Sequence, residues 1–535
     1  MMRAFAELLD KLLLTPARNR KVELLVNYFK AQPDPDRGIA LAAITGDLNL
    51  KAIKPTLLRS IITSQTDEML FRLSYDYVGD LAETISLLWP EHEASGTSTV
   101  SLSQAVQILE GVSRSDAAAT MRNLLNRLRP AERYALIKLA TGAMRIGVSA
   151  RLAKQALATF GNKEMPEIEE LWHGLDSPYV ELFAWLESKG PKPVSVALAP
   201  FRPVMLSHAL EQRDQEKITP DDFIAEWKWD GIRVQTSCEA GVRRIYSRTG
   251  DDISPAFPDM AAAMTVEGTF DGELLVRSQL DQPLAIGSFS DLQQRLNRKT
   301  VTKPMLKSSP GFIRLYDVLI LEGQDLRALP LHARRGKLEK AVIRMDADRF
   351  DLSPVLPFAD FDELSALRAN PPYPVIEGLM LKQRDSAYMA GRPRGPWFKW
   401  KRDPMLVDAV LMYAQRGHGK RSGYYSDFTF GCWRDGPNGD ELVPVGKAYF
   451  GFTDDELKKL DKFVRNNTLE RFGPVRTVKA QADHGLVLEI AFEGINRSTR
   501  HKSGVAMRFP RISHIRWDKP PAEADRVEFL AGLIG

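Results

Sequence analysis

The spacing of apolar residues changes once along this chain, and the change falls at a proline-rich stretch. Up to about residue 200, FAELLDKLLL, KVELLVNYF, VSLSQAVQILEGV and ATMRNLLNRL carry apolar residues at helical spacing. Pro191 to Pro203, PKPVSVALAPFRP, has no such period and reads as a boundary. Beyond it, RRIYSRT, GTFDGELLV, GFIRLYDVLIL and EGLMLK read as short strands, interrupted by helices in FSDLQQRLNRK and LHARRGKLEKAV. From about 404, VDAVLMYA, YYSDFTFGCW, LVPVGKAYF and LVLEIAFEG follow. Turn signals at Gly417-His418-Gly419 and Gly436-Pro437-Asn438-Gly439 separate them. Roughly five strands in that space fit a small barrel. The expected fold class is multidomain α+β: an all-helical N-terminal domain over 1–200, a mixed α/β domain over 201–403 and a C-terminal β-barrel over 404–535.

Composition narrows the function classes. Net charge is only +4 over 535 residues, so a nucleic-acid partner has to be argued from clusters of cations rather than from the total. No apolar run approaches the length of a membrane span. The opening MMRAFAELLDKLLL has its apolar residues broken by Glu7, Asp10 and Lys11, which suits an amphipathic helix better than a secretory signal. Cys238 and Cys432 match no disulfide framework or zinc spacing, so a reducing, cytoplasmic location is expected.

Within the helical part, Pro130 suits a helix start and Gly142 a helix end. Ser149 suits the N-cap of the next helix. The intervening Arg145-Ile146-Gly147, with Arg151 and Lys154 close behind, forms a cationic loop feeding a helix N-terminus, a good seat for phosphate. An ordinary helix hairpin with solvated basic residues fits the segment equally well.

The chemistry centres on Phe223 to Val234, FIAEWKWDGIRV. Alternation puts Glu226, Lys228 and Asp230 on one face of a strand, and Gly231 then lets the backbone turn. The segment alone is compatible with a solvated ion-pair face or with a lysine nucleophile. Further candidates follow in order: Arg233, Arg248 in Ser247-Arg248-Thr249-Gly250, Glu273 in FDGELL, Tyr316-Asp317, Glu377 opening EGLMLK, which ends at Lys382, and Arg394 before WFKWK. In that last strand Lys399 and Lys401 share a face with Trp397. FPRISHIRWDK closes the series, and no Walker A or GxGxxG pattern is present.

Taken together, Lys228-Trp229-Asp230-Gly231, Arg248-Thr249-Gly250, Asp271-Gly272-Glu273-Leu274, Tyr316-Asp317, Glu377 to Lys382, Trp397 to Lys401 and Arg516-Trp517-Asp518-Lys519 resemble the ordered motifs of the covalent nucleotidyltransferase superfamily. Within it they resemble the ATP-dependent DNA ligases. The helical segment with Arg145-Ile146-Gly147 resembles the DNA-binding domain of larger ligases of the bacterial repair type. The resemblance implies an adenylating nucleotidyltransferase domain followed by an OB-fold. Lys228 would be the catalytic nucleophile, forming lysyl-AMP. Glu226, Arg233, Arg248, Glu273, Tyr316, Arg394, Lys399, Lys401, Asp518 and Lys519 would hold the nucleotide, with Glu226 on the adenine amino group, Tyr316 stacked on the base and Arg248 facing the phosphates. Glu273 and Glu377 would serve the metal. A free lysine is protonated at neutral pH, so its amine must be made available by neighbouring cations: magnesium, Arg233, Lys399 and Lys401.

The same resemblance implies ATP and Mg2+, with Mn2+ able to substitute. It also implies nicked double-stranded DNA as substrate and a monomer with no membrane partner, while partner proteins are not visible in it. Asp518 and Lys519 would orient pyrophosphate in the first step only, with a hinge at Asp403-Pro404. The loop Arg416 to Tyr424, RGHGKRSGY, suits a DNA backbone, or equally a basic hairpin in solvent. RNA ligases and RNA-capping guanylyltransferases share the lysine motif, but the long helical domain argues against them. Two cysteines cannot build the four-cysteine zinc site of an NAD-dependent ligase. A non-catalytic DNA-binding scaffold has no need of the intact lysine and both glutamates.

Overall fold

The computed structural model describes residues 2–48, 50, 53–91, 100–142, 144–277, 286–287, 289–296, 298, 301–416, 423–437, 439–499 and 501–534. The chain forms two compact units, one of Met1–Phe361 with Met380–Lys399 and the other of Asp362–Leu379 with Trp400–Gly535.

The first unit opens with helices, from Met2–Leu14 to Val180–Leu186, around one apolar core. Phe29, Phe160 and Phe183 meet edge to face in it, with ring centroids 5.5 to 6.3 Å apart. Arg37 lies over the Phe183 ring at 4.3 Å and pairs with Asp34 and Glu187, so its charge is matched where it is buried. The expected helix signals hold. Helix Pro130–Thr141 has proline in its first turn and ends at Gly142 with φ 67°, and Ser149 accepts from the Leu152 amide at 3.2 Å to cap Ala150–Gly161.

Two sheets follow in the α/β part. One has five strands in the order His208–Ala209, Trp397–Lys401, Ile376–Gln383, Phe223–Trp229 and Val355–Leu356. The chain passes between the two units three times, at the start of helix Phe361–Ala369 and within the strands Ile376–Gln383 and Trp397–Lys401. The other sheet runs Val242–Ser247, Ile232–Glu239, Gly268–Val276, Gly311–Leu321 and Gln324–Asp325, with Phe350–Leu352 parallel to Gly311–Leu321. Asp230-Gly231 carries the chain from the first sheet to the second. Gly231 turns the backbone there, but its stronger constraint is space. A Cβ there would stand 2.5 Å from the Leu274 carbonyl oxygen. The helices meet this part through Glu170, which accepts from Arg202 at 2.7 Å and from Arg327 at 3.0 and 3.2 Å. His173 lies against the rings of Phe201 and Tyr246. Burial and the nearby Lys154 push its imidazole down to about 4.

The second unit is built on a seven-stranded sheet rather than the roughly five strands expected. The short strands Thr468–Phe472 and Val475–Val478 make the difference, and they join the sheet through the long strand Met405–Arg416. That strand pairs with Tyr425–Gly436 on one edge and with both Val487–Phe492 and Val475–Val478 on the other. Gly439–Ala448, Thr468–Phe472 and Arg511–Arg516 complete the sheet. Helix Asp454–Asn466, capped by a Thr453–Glu456 box, covers its core with Leu457, Leu460 and Val464. Of the loop Arg416 to Tyr424, residues 417–422 lie outside the described residues.

Candidate active site

Strand Phe223–Trp229 is buried from Phe223 to Glu226, and Lys228 is half-buried near its end. The ion pairing of Glu226 runs to other elements rather than along a wet strand face. Its carboxylate, 2% exposed, accepts from Arg335 Nη1 at 2.6 Å and from Lys382 Nζ at 2.5 Å. Arg335 is also tied to the Ser353 carbonyl. Arg334, one residue earlier on helix Leu331–Val342, makes a two-pronged pair with Asp317 at 2.8 and 2.9 Å. Burial pushes the Asp317 carboxyl up, against the pull of Arg334.

Tyr316 faces this group from strand Gly311–Leu321. Lys382 lies 4.2 Å over its ring, and Arg233 stands 5.9 Å from it. Packing around the phenol pushes it well above its ordinary range. Arg233 donates to the Met205 carbonyl at 2.5 Å, to Asp271 at 2.8 Å and to Tyr388 at 3.2 Å, while Tyr388 donates to Asp271 at 2.5 Å. Burial opposes the charge of Arg233, but Tyr316 and Asp271 beside it raise the guanidinium. Arg233 opposes Glu273 in the strand register, and Glu273, half-buried, opposes Arg314 on its other side. Arg248 is exposed on the turn after Val242–Ser247, where desolvation and the like charges of Arg233 and Arg392 push it down. Arg394 is exposed on the loop before Trp397, and Lys399, half-buried, pairs in register with Ala209.

In the second unit, Lys401 Nζ lies 2.7 Å from Glu493 and 3.7 Å from Glu377, and Arg508 lies 3.9 Å from Glu377. Gly378 makes the close approach possible: φ is +145°, and a Cβ there would run into the Trp400 carbonyl oxygen. Lys519 Nζ is 2.7 Å from Asp408 Oδ2, and Asp518 is exposed and held by Arg516 at 3.0 and 3.1 Å.

Among the helices, Arg145, Gly147 and Ser149 are exposed and Ile146 is buried. The buried Lys21 ammonium holds the carbonyls of Ile146 and Gly147 at 2.7 and 2.9 Å. In trans peptides the N–H of the next residue points the opposite way, so the Gly147 and Val148 amides face away from Lys21. Burial pushes the Lys21 ammonium down.

Comparison with known proteins matches three family descriptions in order along the chain: DNA ligase N terminus over residues 1–158, ATP dependent DNA ligase domain over 204–401 and ATP dependent DNA ligase C terminal region over 421–519. A protein of Koribacter versatilis (strain Ellin345) named a probable DNA ligase is 30% identical over 574 residues, covering 98% of this chain and 95% of that protein. The chain belongs to the ATP-dependent DNA ligase family. A DNA ligase of Thermococcus onnurineus (strain NA1) is 25% identical over 554 residues, covering 99% of this ligase and 96% of its own length. The solved structure named "Pmar-Lig_Pre." shares the fold, with a TM-score of 0.57 at 15% identity over 96% of this ligase and 99% of that chain.

Nick sealing with ATP is the reaction of this ligase family. Glu226, Lys228, Arg233, Glu273, Tyr316, Glu377, Lys399 and Lys401 of the ligase stand on strands of the two sheets. Sequence reasoning missed the struts behind them: Arg334, Arg335, Tyr388, Lys21 and the role of Lys382. No local signal marks the two arginines, because their helix, LHARRGKLEKAV, carries charges at many positions and only the fold decides which of them turn inward. Among the described residues no group of three or more His, Cys, Asp or Glu side chains is arranged to hold a metal ion, and no helix is long and apolar enough to cross a membrane. Magnesium does not require such a cluster: it binds through one or two carboxylates plus phosphate oxygens and water. Single glutamates such as Glu273 and Glu377 fit that donor chemistry.

Proposed function

We propose that Lys228 is the nucleophile of this ligase. The observation that carries the reading is the fixed, buried Glu226 two residues before it, tied through Lys382 to the Tyr316 ring. The lysine amine, having lost its proton, gives its lone pair to the ATP α-phosphorus, and the bond to the bridging oxygen breaks to release pyrophosphate. A 5′-phosphate oxygen at the nick then takes the AMP and frees the lysine. The 3′-hydroxyl oxygen finally attacks that 5′-phosphorus, loses its proton and displaces AMP, which closes the phosphodiester.

Glu226 and Tyr316 would hold the base. Arg233, Arg248, Arg394, Lys399 and Lys401 would face phosphates, and Asp518 and Lys519 the leaving pyrophosphate. Glu273 and Glu377 would hold Mg2+, which neutralises charge on the phosphates when bound. Arg145 and the outward amides of Gly147 and Val148 would bind the phosphates of nicked duplex DNA, at the start of helix Ala150–Gly161. We place the enzyme in the cytoplasm as a monomer. Incubation with ATP labelled on the α-phosphate, followed by a denaturing gel, tests the reading: label stays on the wild type and is absent from Lys228→Ala.

A further inference from the structure

Three elements far apart in sequence converge on one carboxylate. Lys382, 1% exposed, comes from strand Ile376–Gln383, Arg335 from helix Leu331–Val342, and Glu226 from strand Phe223–Trp229. The Lys382 ammonium is 2.5 Å from one Glu226 oxygen, and Arg335 is 2.6 Å from the other. The far side of Lys382 is aromatic, with Tyr316 at 4.2 Å and Trp397 at 4.9 Å. Among the described residues, the charged and titratable groups at this cluster are Arg335, which also has Glu339 at 3.6 Å, Lys382 and, against it, Tyr316, with the Asp317–Arg334 pair behind them and Lys228 further along the Glu226 strand.

Burying two cations and an anion contributes little net stability, because desolvation offsets the attraction. The arrangement does fix what the group can do. An ionised carboxylate only accepts hydrogen bonds, whereas a protonated one also donates. At position 6, adenine presents an amino donor and hypoxanthine presents a carbonyl acceptor. We propose that Lys382, together with Arg335, is a positioning residue that sets nucleobase choice, keeping Glu226 a pure acceptor and engaging an ammonium that would otherwise donate to a base carbonyl. This rests on the reading that Glu226 and Tyr316 hold the base. Without Lys382 the Glu226 oxygen it holds at 2.5 Å loses its partner, so the acceptor is no longer fixed toward the base and discrimination against the carbonyl purine relaxes.

The test is self-adenylation of the full chain with ATP against inosine triphosphate, each labelled on the α-phosphate, comparing single-turnover rate over half-saturation. The wild type is expected to prefer ATP strongly, as a site built around a hydrogen bond rejects an analogue that cannot make it. Lys382→Met is expected to cut that preference at least about tenfold, the ATP reaction losing more than the inosine reaction, and Lys382→Arg to restore most of it. A fall in both reactions by the same factor, with the ratio unchanged, would mark Lys382 as structural and overturn the proposal. If Lys382→Met does not fold, Lys382→Gln, which keeps a polar contact to Glu226 without the charge, decides the matter. Near-equal use of the two nucleotides supports the proposal, and retained ATP preference overturns it. A wild type that already uses both nucleotides alike would instead overturn the reading of Glu226, and with it this assignment.

Discussion

The Lys519 ammonium lies 2.7 Å from Asp408 Oδ2, which joins the last motif of the chain to the strand Met405–Arg416. Arg516 reaches the same oxygen at 3.4 Å. Lys519 is thus held by a carboxylate and has to exchange it for phosphate oxygens if it serves the leaving pyrophosphate. That duty exists in the first step alone. Lys519→Ala is expected to lower lysyl-AMP formation roughly 10²–10³-fold, as for loss of one preorganised charge stabiliser. It should still seal a nick that already carries AMP on its 5′-phosphate. One gel with both substrates makes the comparison, and equal loss of both reactions would assign the segment to structure or to DNA contact.

Arg334 and Asp317 are both fully buried, and neither has water to replace its partner. Arg334→Met strands a charge, at a cost of about 3–5 kcal/mol. Adding Asp317→Asn removes that charge and should recover part of the loss. Urea unfolding of the three variants checks this. Similar stability for the single and double variants would deny that the stranded charge is the cause.

Acid should loosen the helices through Glu187. Its carboxyl is lowered from 4.5 to about 2 by the hydrogen bond from Arg37, with Lys189 assisting. A folded value below the unfolded one means the pair stabilises fully above the unfolded value, and the contribution is lost as pH falls from about 4.5 to about 2. Glu187→Gln should therefore be less stable than wild type at neutral pH and nearly equal to it at the acid end of that window. Helical ellipticity against urea at several pH values measures it, and a difference independent of pH would refute it.

The exposed Arg145 should contribute one phosphate contact. Arg145→Ala is expected to weaken binding to nicks of any sequence and to flatten the slope of log affinity against log salt by ~0.9. An unchanged slope would remove Arg145 from the DNA surface.

Much of this was legible in the chain because the signals are local. Pro130, Gly142 and Ser149 mark helix ends through their own backbone chemistry, and Lys228-Trp229-Asp230-Gly231, ambiguous alone, gains its meaning from the ordered motifs that follow it along the chain. What escaped was set by contacts over long separations. Lys382 reads as the end of an ordinary strand, and only the fold puts it against Glu226, 156 residues earlier. Arg334 and Arg335 read as the basic face of a helix, yet the fold turns both inward, to Asp317 and Glu226. The strands Thr468–Phe472 and Val475–Val478 are short and mostly not buried, so they lack the alternation that marks a strand, and the sheet of the second unit was undercounted.

The account depends most on Lys228. The direct measurement is mass spectrometry of peptides from protein incubated with ATP and Mg2+, for the wild type and for Lys228→Ala. The expected result is AMP on the peptide containing Lys228 in the wild type and on no peptide of the variant. AMP on another lysine of the wild type, or any AMP on Lys228→Ala, would contradict it.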